Sequence, residues 1–227
     1  MRLAIFSDVH GNLEAFDRFQ QSVSLDEIDR FVCLGDLTGY IPNPLGVSHV
    51  IESLPEDTIY LRGNHEQMVL DGSWSQQRDT LALRECSEML NNSHWLDVIK
   101  AWPMAYTLEC EAGHLLFVHG TPESPTHGYL TDEFLRKCGP LSYQFVFAGN
   151  THRPLSRKIA STTFINVGSV GLPRDHGSIG SYGIIDLRTG KVHIRRFDIG
   201  RSIDREARRY GAHSSVADLC DRGLLGR

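Results

Sequence analysis

Leu3-Ala4-Ile5-Phe6-Ser7-Asp8-Val9-His10-Gly11-Asn12 is a short apolar run that ends in a carboxylate and an imidazole. Its length and its Ile and Phe content suit a buried strand. Asp8 and His10 are spaced i, i+2, so an extended strand end points both side chains the same way. The pattern then recurs. Predicted strand 31–34 ends at Gly35-Asp36, and strand 58–61 at Arg62-Gly63-Asn64-His65-Glu66. Strand 115–118 ends at His119-Gly120, and strand 145–148 at Gly149-Asn150-Thr151-His152. In an open α/β sheet, sites form at the carboxyl ends of strands. Five such ends in one chain point to a shared site, although any one alone reads as structural.

Helical patterns separate the early strands. Leu13, Phe16, Phe19 and Val23 recur at three- and four-residue spacing behind Asn12, a candidate N-cap. Segments 45–54 and 80–90 also read as helices. This β-α-β-α-β alternation predicts a largely parallel sheet in the first third. After Leu108 the chain becomes β-rich, with strands predicted over 163–167, 182–187 and 192–197 and a turn at Arg188-Thr189-Gly190-Lys191. The expected organisation is a single domain over 1–227. Within it, 71–101 reads as a helical insertion or cap, and 201–227 as a C-terminal helical tail.

At 227 residues, with 41% hydrophobic and 22% charged residues, the chain has the makings of a sizeable core. A formal charge of −5 argues against a nucleic-acid platform and fits a small substrate held by metal ions. The five cysteines are scattered and include no C-x-x-C pair, so reduced thiols are expected. The opening apolar run is too short for a signal peptide, and no run reaches a membrane span. The expected localisation is cytoplasmic, without membrane partners; a homo-oligomer is left open.

Aspartate, asparagine and histidine without thiolates suit borderline divalent ions such as Mn²⁺, Fe²⁺ and Zn²⁺. The motifs Asp8-Val9-His10, Gly35-Asp36-Leu37-Thr38-Gly39, Gly63-Asn64-His65-Glu66, His119-Gly120-Thr121-Pro122 and Gly149-Asn150-Thr151-His152 together resemble the calcineurin-like metallophosphoesterases. The resemblance extends to Asn166-Val167-Gly168-Ser169-Val170-Gly171. Gly39-Tyr40 with Pro42 and Pro44 is similar to the bacterial and archaeal small phosphodiesterase branch. It implies a four-layer α/β/β/α sandwich with two divalent ions at one edge (Mn, Fe, Zn or Ni, with Mn favoured). By this resemblance the first ion takes Asp8, His10, Asp36 and His152, and the second takes Asp36, Asn64 and His119. Asp36 then bridges both, and a hydroxide shared between the ions attacks phosphorus in line. The implied substrate is a small phosphate ester, most of all a phosphodiester. The rival reading is a metal-binding scaffold of the same fold with little or no activity.

Two departures from the family pattern stand out. Asn150 occupies a position where the family has His, leaving it a weak ligand for the second ion. The protein-phosphatase branch has Asp where this chain has Gly39, and Arg after it, which argues against a protein phosphatase. His65, beside Asn64, is the candidate to stabilise or protonate the departing oxygen, with a structural imidazole as the alternative. Glu66 either orients His65 or caps a helix. Arg153, Arg174 and His176 are candidate substrate contacts, or else solvated loop residues. The run Arg195, Arg196, Arg201, Arg205, Arg208 and Arg209 reads as a solvated face rather than a nucleic-acid contact. Trp74, Trp95 and Trp102 read as packing residues.

Overall fold

The computed structural model describes residues 1–76 and 79–223. Residues 77–78 of the expected insertion and 224–227 of the expected tail lie outside the described residues.

Strand alternation builds the layers. In β1 (Arg2–Phe6) the odd residues Leu3 and Ile5 face one way, and Ala4 and Phe6 the other. Leu3 and Ile5 meet Val32 and Leu34 from the β2 region (Arg30–Cys33), and Leu115 and Phe117 of β5 (Gly113–Val118), in a core between two sheets. Ala4 and Phe6 instead pack beneath Phe16 and Phe19 of α1 (Leu13–Val23). On the far side, Leu116 and Val118 of β5 join Val146 and Ala148 of β6 (Phe145–Ala148) under Leu135 of α6 (Asp132–Lys137). The layers are therefore helix, sheet, sheet, helix. This is the expected α/β/β/α sandwich.

β3 (Ile59–Tyr60) completes the parallel trio β1-β2-β3 expected in the first third. β9 (Ile179–Asp186) and β10 (Val192–Asp198) add antiparallel on the other flank, giving the order β10-β9-β1-β2-β3. The second sheet adds β4 (Ala105–Cys110), β7 (Leu155–Ile159) and β8 (Thr162–Asn166), in the order β4-β5-β6-β8-β7. Its central β5-β6-β8 trio is parallel, so both sheets point strand carboxyl ends to one edge.

Asn12 caps α1 as expected, accepting from the Ala15 backbone N–H at 3.1 Å. Its amide also donates to the Gly171 carbonyl at 2.8 Å, tying the helix start to a distant site loop. The helix expected over 45–54 is α2 (Gly46–Glu52). After α3 (Asn64–Asp71) come α4 (Leu83–Asn91) and α5 (Trp95–Ala101). Leu83, Leu90, Ile99 and Trp102 share the α1 core, and the Trp102 ring stacks on Tyr60 at 5.2 Å. Towards the C-terminus, α7 (Ser202–Arg209) and α8 (Ser214–Ala217) lead into a 3₁₀ turn, Asp218–Asp221. No helix among the described residues is long and apolar enough to cross a membrane.

Candidate metal centre

The loops after β1 and β2 interlock: Asp8 N–H donates to Gly35 O and His10 N–H to Asp36 O, each at 3.0 Å. The Asn166–Gly171 segment braces them from behind. Ser169 Oγ donates to Asp8 O at 2.8 Å, and Gly171 N–H to the same carbonyl at 3.0 Å. The loops are tight enough that Asp8, His10, Asp36, Asn150 and His152 all adopt positive φ, between 50° and 63°. Left-handed backbone is uncommon outside glycine, is tolerated best by Asp, Asn and His, and gathers at functional sites.

Asp8, His10, Asp36, His119 and His152 are all buried. Three imidazoles are oriented in one way. His10 Nδ1 donates to Thr38 O (2.7 Å), His119 Nδ1 to Leu34 O (3.1 Å) and His152 Nδ1 to Leu172 O (2.6 Å). A neutral imidazole with its proton on Nδ1 offers a lone pair at Nε2, as metal-binding histidines do. The three Nε2 atoms converge. Those of His10 and His152 are 3.2 Å apart, and His152 Nε2 is 3.2 Å from Asp8 Oδ1. Asp36 Oδ2 is 3.6 Å from His10 Nε2 and 3.3 Å from His119 Nε2. Asn64 Oδ1 reaches His119 Nε2 at 3.0 Å. Asp36 thus belongs to two donor groups at once.

Facing lone pairs repel, and Asp8 Oδ1 is buried with no hydrogen-bond partner. No Lys or Arg forms an ion pair with Asp8 or Asp36 among the described residues. Buried carboxylates without cationic partners are costly unless a metal compensates them. The donor set therefore fits divalent cations. Burial pushes against the charge on Asp36, but His119, His65 and His10 outweigh it and hold the carboxyl below its usual range. Burial likewise opposes charge on His119, yet in the metal-free centre Asp36 and Asp8 beside it lift the imidazole to about 9, a proton that a cation at Nε2 would displace. For His65, burial prevails and lowers it to about 3.

The Glu66 carboxylate makes no hydrogen bond to the His65 ring. It accepts four backbone N–H groups: Asp36 and Gly63 at 2.8 and 2.9 Å on Oε2, and Leu37 and Thr38 at 2.8 and 3.1 Å on Oε1. It caps α3 and clamps the Asp36 loop to that helix. Gly63 allows the approach, because a Cβ there would lie 2.0 Å from Asp36 Oδ1.

His65 is buried with Nδ1 unpartnered, and its Nε2 lies 3.9 Å from Asp36 Oδ2. Its ring stacks on Tyr40 at 5.1 Å and meets His10 edge-on at 4.7 Å. Tyr40 was not singled out as a site residue from sequence, yet it forms one wall of the centre and accepts from Arg174 Nη2 at 2.6 Å. Its positive φ of 63° follows Gly39. Arg174 thus stands next to the centre. Arg153 is exposed, and His176 Nδ1 faces Ser178 Oγ at 3.1 Å. Asn150 donates its backbone N–H to Asp8 Oδ2 at 3.1 Å and its amide to Gly128 O at 2.9 Å. Only its Oδ1 is left for a cation.

Gly39 lies directly against His65. A Cβ there would sit 1.8 Å from His65 Nδ1, and φ is +86°. Gly39→Ala must move the imidazole as well as strain the turn. The expected result is a drop in turnover of about 10²-fold, the cost of a misplaced group, with metal content retained. Steady-state kinetics and metal analysis check this; wild-type turnover would mean that His65 has no fixed role.

A layered α/β sandwich that gathers buried carboxylates and imidazoles at its strand ends is the architecture of a metal-dependent hydrolase. The family model for the calcineurin-like phosphoesterase superfamily domain matches residues 1–190. The chain belongs to that superfamily, and it is a metal-dependent phosphoesterase. It is 25% identical over 225 residues to MJ0912 of Methanocaldococcus jannaschii, covering 89% of this chain and 90% of that one. Its fold matches a metallophosphoesterase from Sphaerobacter thermophilus with a TM-score of 0.78 at 22% identity, over 98% and 100% of the two chains. It also matches hypothetical protein PH1004 from Pyrococcus horikoshii with a TM-score of 0.82 at 19% identity, over 98% of each.

Proposed function

We propose that the protein hydrolyses phosphodiesters, using two divalent ions at this centre, with Mn²⁺ favoured. The observation that carries the reading is Asp36 Oδ2, common to the His10 and His119 donor groups. Asp8, His10, Asp36 and His152 would hold one ion, and Asp36, Asn64 and His119 the other, with Asn150 Oδ1 at its margin. When bound, such ions supply Lewis acidity: they neutralise charge on the phosphoryl oxygens and lower the pKa of the attacking water.

The chain's own residues do the rest. Glu66 and the His65 backbone N–H, which donates to Asp36 Oδ1 at 3.0 Å, keep Asp36 Oδ2 facing inward. His65 is neutral at ordinary pH, since burial lowers it to about 3. With no acceptor at Nδ1, its proton can sit on Nε2, where it donates to the departing oxygen. His65→Ala is expected to lower turnover by roughly 10²–10⁴-fold with metal content intact. The loss should be smaller for nitrophenyl than for alkyl leaving groups. An equal deficit for both would remove His65 from leaving-group assistance.

The five cysteines are free, in keeping with a reducing cytoplasm. The arginine run gives no open basic face: Arg195 pairs with Asp26, Arg196 with Asp175, Arg201 with Asp221, Arg205 with Glu14, Arg208 with Asp204 and Arg209 with Glu206. That supports a small substrate over nucleic acid. A panel of phosphomonoesters and phosphodiesters tested with Mn²⁺ decides the substrate class. Higher kcat/KM on diesters is expected; a consistent monoester preference would overturn it.

A further inference from the structure

A histidine that gives or takes a proton in catalysis is normally turned by a hydrogen bond to a third group. His65 has none among the described residues. Its Nδ1 is buried without a partner, and its Nε2 lies 3.9 Å from Asp36 Oδ2, beyond hydrogen-bond reach. The neighbouring Glu66 carboxylate is engaged by four backbone N–H groups. Residue 39 cannot supply an acceptor either, because a Cβ there would lie 1.8 Å from His65 Nδ1. The His65 ring is therefore held by packing alone.

Two rings supply that packing. Tyr40 lies nearly parallel to His65, with 5.1 Å between centroids and 26° between planes. His10 meets His65 on edge, at 4.7 Å and 63°. Both separations are those of favourable aromatic pairs. His10 is itself fixed by its Nδ1 bond to Thr38 O at 2.7 Å. Tyr40 has two anchors, and neither comes from α3, the helix that carries His65. Its N–H donates to Leu81 O in the helical insertion at 2.6 Å. Its hydroxyl accepts from Arg174 Nη2 at 2.6 Å, and the Arg174 guanidinium carbon lies 5.8 Å from its ring centroid. Arg174 N–H in turn donates to His152 O at 3.0 Å. The Arg174 side chain thus ties the loop that carries His152 to the ring that packs on His65.

We propose that Tyr40 is the positioning residue for His65: its ring, held by Leu81 and Arg174, sets the direction of His65 Nε2 where a hydrogen-bonded partner would otherwise do so. The helical insertion then has a part in the chemistry, because Leu81 fixes the Tyr40 backbone. This rests on the phosphodiesterase reading above and on His65 as the donor to the departing oxygen. Tyr40 acts through His65 and not on the substrate.

The test uses the Mn²⁺-loaded protein with diphenyl phosphate and bis(p-nitrophenyl) phosphate, the second having the better leaving group. Tyr40→Leu is expected to lower kcat on diphenyl phosphate by about 10²-fold, the cost of a misplaced group, with KM and metal content near wild type. The loss should be smaller on the nitrophenyl diester. Tyr40→Phe keeps the ring and should recover most of it. Arg174→Gln, which frees the hydroxyl, should show a lesser loss with the same leaving-group dependence. In a His65→Ala background Tyr40→Leu should cost nothing further, because residues that act as a unit are not additive. A Tyr40→Leu loss that multiplies the His65→Ala loss, or that is equal on both esters, overturns the proposal. So does Tyr40→Phe as impaired as Tyr40→Leu, which would assign the role to the hydroxyl, and so does a loss that follows metal content. If His65→Ala has no effect on either ester, the proposal falls while the phosphodiesterase reading stands. Hydrolysis of neither ester by the wild type overturns that reading, and the proposal with it.

Discussion

Asp36→Asn is expected to lower kcat/KM by more than about 10³-fold, beyond the 10²–10³ that one electrostatic contact supplies. The variant is nearly isosteric, and its Oδ1 can still accept the His65 backbone N–H at 3.0 Å. The change falls on Oδ2. A carboxylate oxygen shared between His10 and His119 becomes an amide donor facing the same centre. Both donor groups lose a carboxylate in one substitution, and the group of Asn64 and His119 loses its only one. A ligand that serves one group alone, such as His152, should cost less when replaced. Kinetics with metal analysis of each variant check the order. If Asp36→Asn kept near-normal metal content and turnover, Asp36 would not be shared.

Glu66→Ala should cause the second large effect, on stability as well as activity. Four buried backbone N–H groups would lose their acceptor at once. Each unsatisfied group costs roughly 1–3 kcal/mol, so the sum is at least about 4 kcal/mol. Domains are stable by only about 5–15 kcal/mol. For a chain of this size each kcal/mol shifts Tm by about 2–4 °C, which implies a drop on the order of 10 °C. Glu66→Gln should fall between, because its amide keeps one acceptor oxygen and turns a donor towards the other pair. Denaturant unfolding measures both. Wild-type stability in the two variants would show that water or loop movement satisfies the freed groups.

The centre was legible in sequence because a buried parallel strand is a near-continuous apolar run, so the first polar residues after it mark its carboxyl end. Asp8, His10, Asp36 and His119 follow that rule, Asn64 and His152 come within a few residues of it, and the structure brings the six together. The layering was less legible. β4 and β7 flank the second sheet as edge strands with half-exposed patterns, and α6 is only six residues long. β7 and α6 carry weak periodicity, whereas β4 alternates Tyr106, Leu108 and Cys110 inward, and the sandwich was implied only by resemblance. Tyr40 was hidden for another reason. Its place against His65 and Arg174 depends on residues 25 and 134 positions away, through contacts that no local pattern encodes. Glu66 left two roles open because a capping box and a histidine partner look alike in sequence; only the four N–H donors separate them.

The most direct test of the account is a calorimetric titration of the metal-stripped protein with Mn²⁺, followed through hydrolysis of bis(p-nitrophenyl) phosphate in the same samples. Two bound ions per chain are expected, with the second the weaker because Asn150 offers only an amide oxygen. Hydrolysis should be absent from the stripped protein and rise as the second ion binds. A single bound ion with full activity, or no Mn²⁺ binding and no hydrolysis, would contradict it.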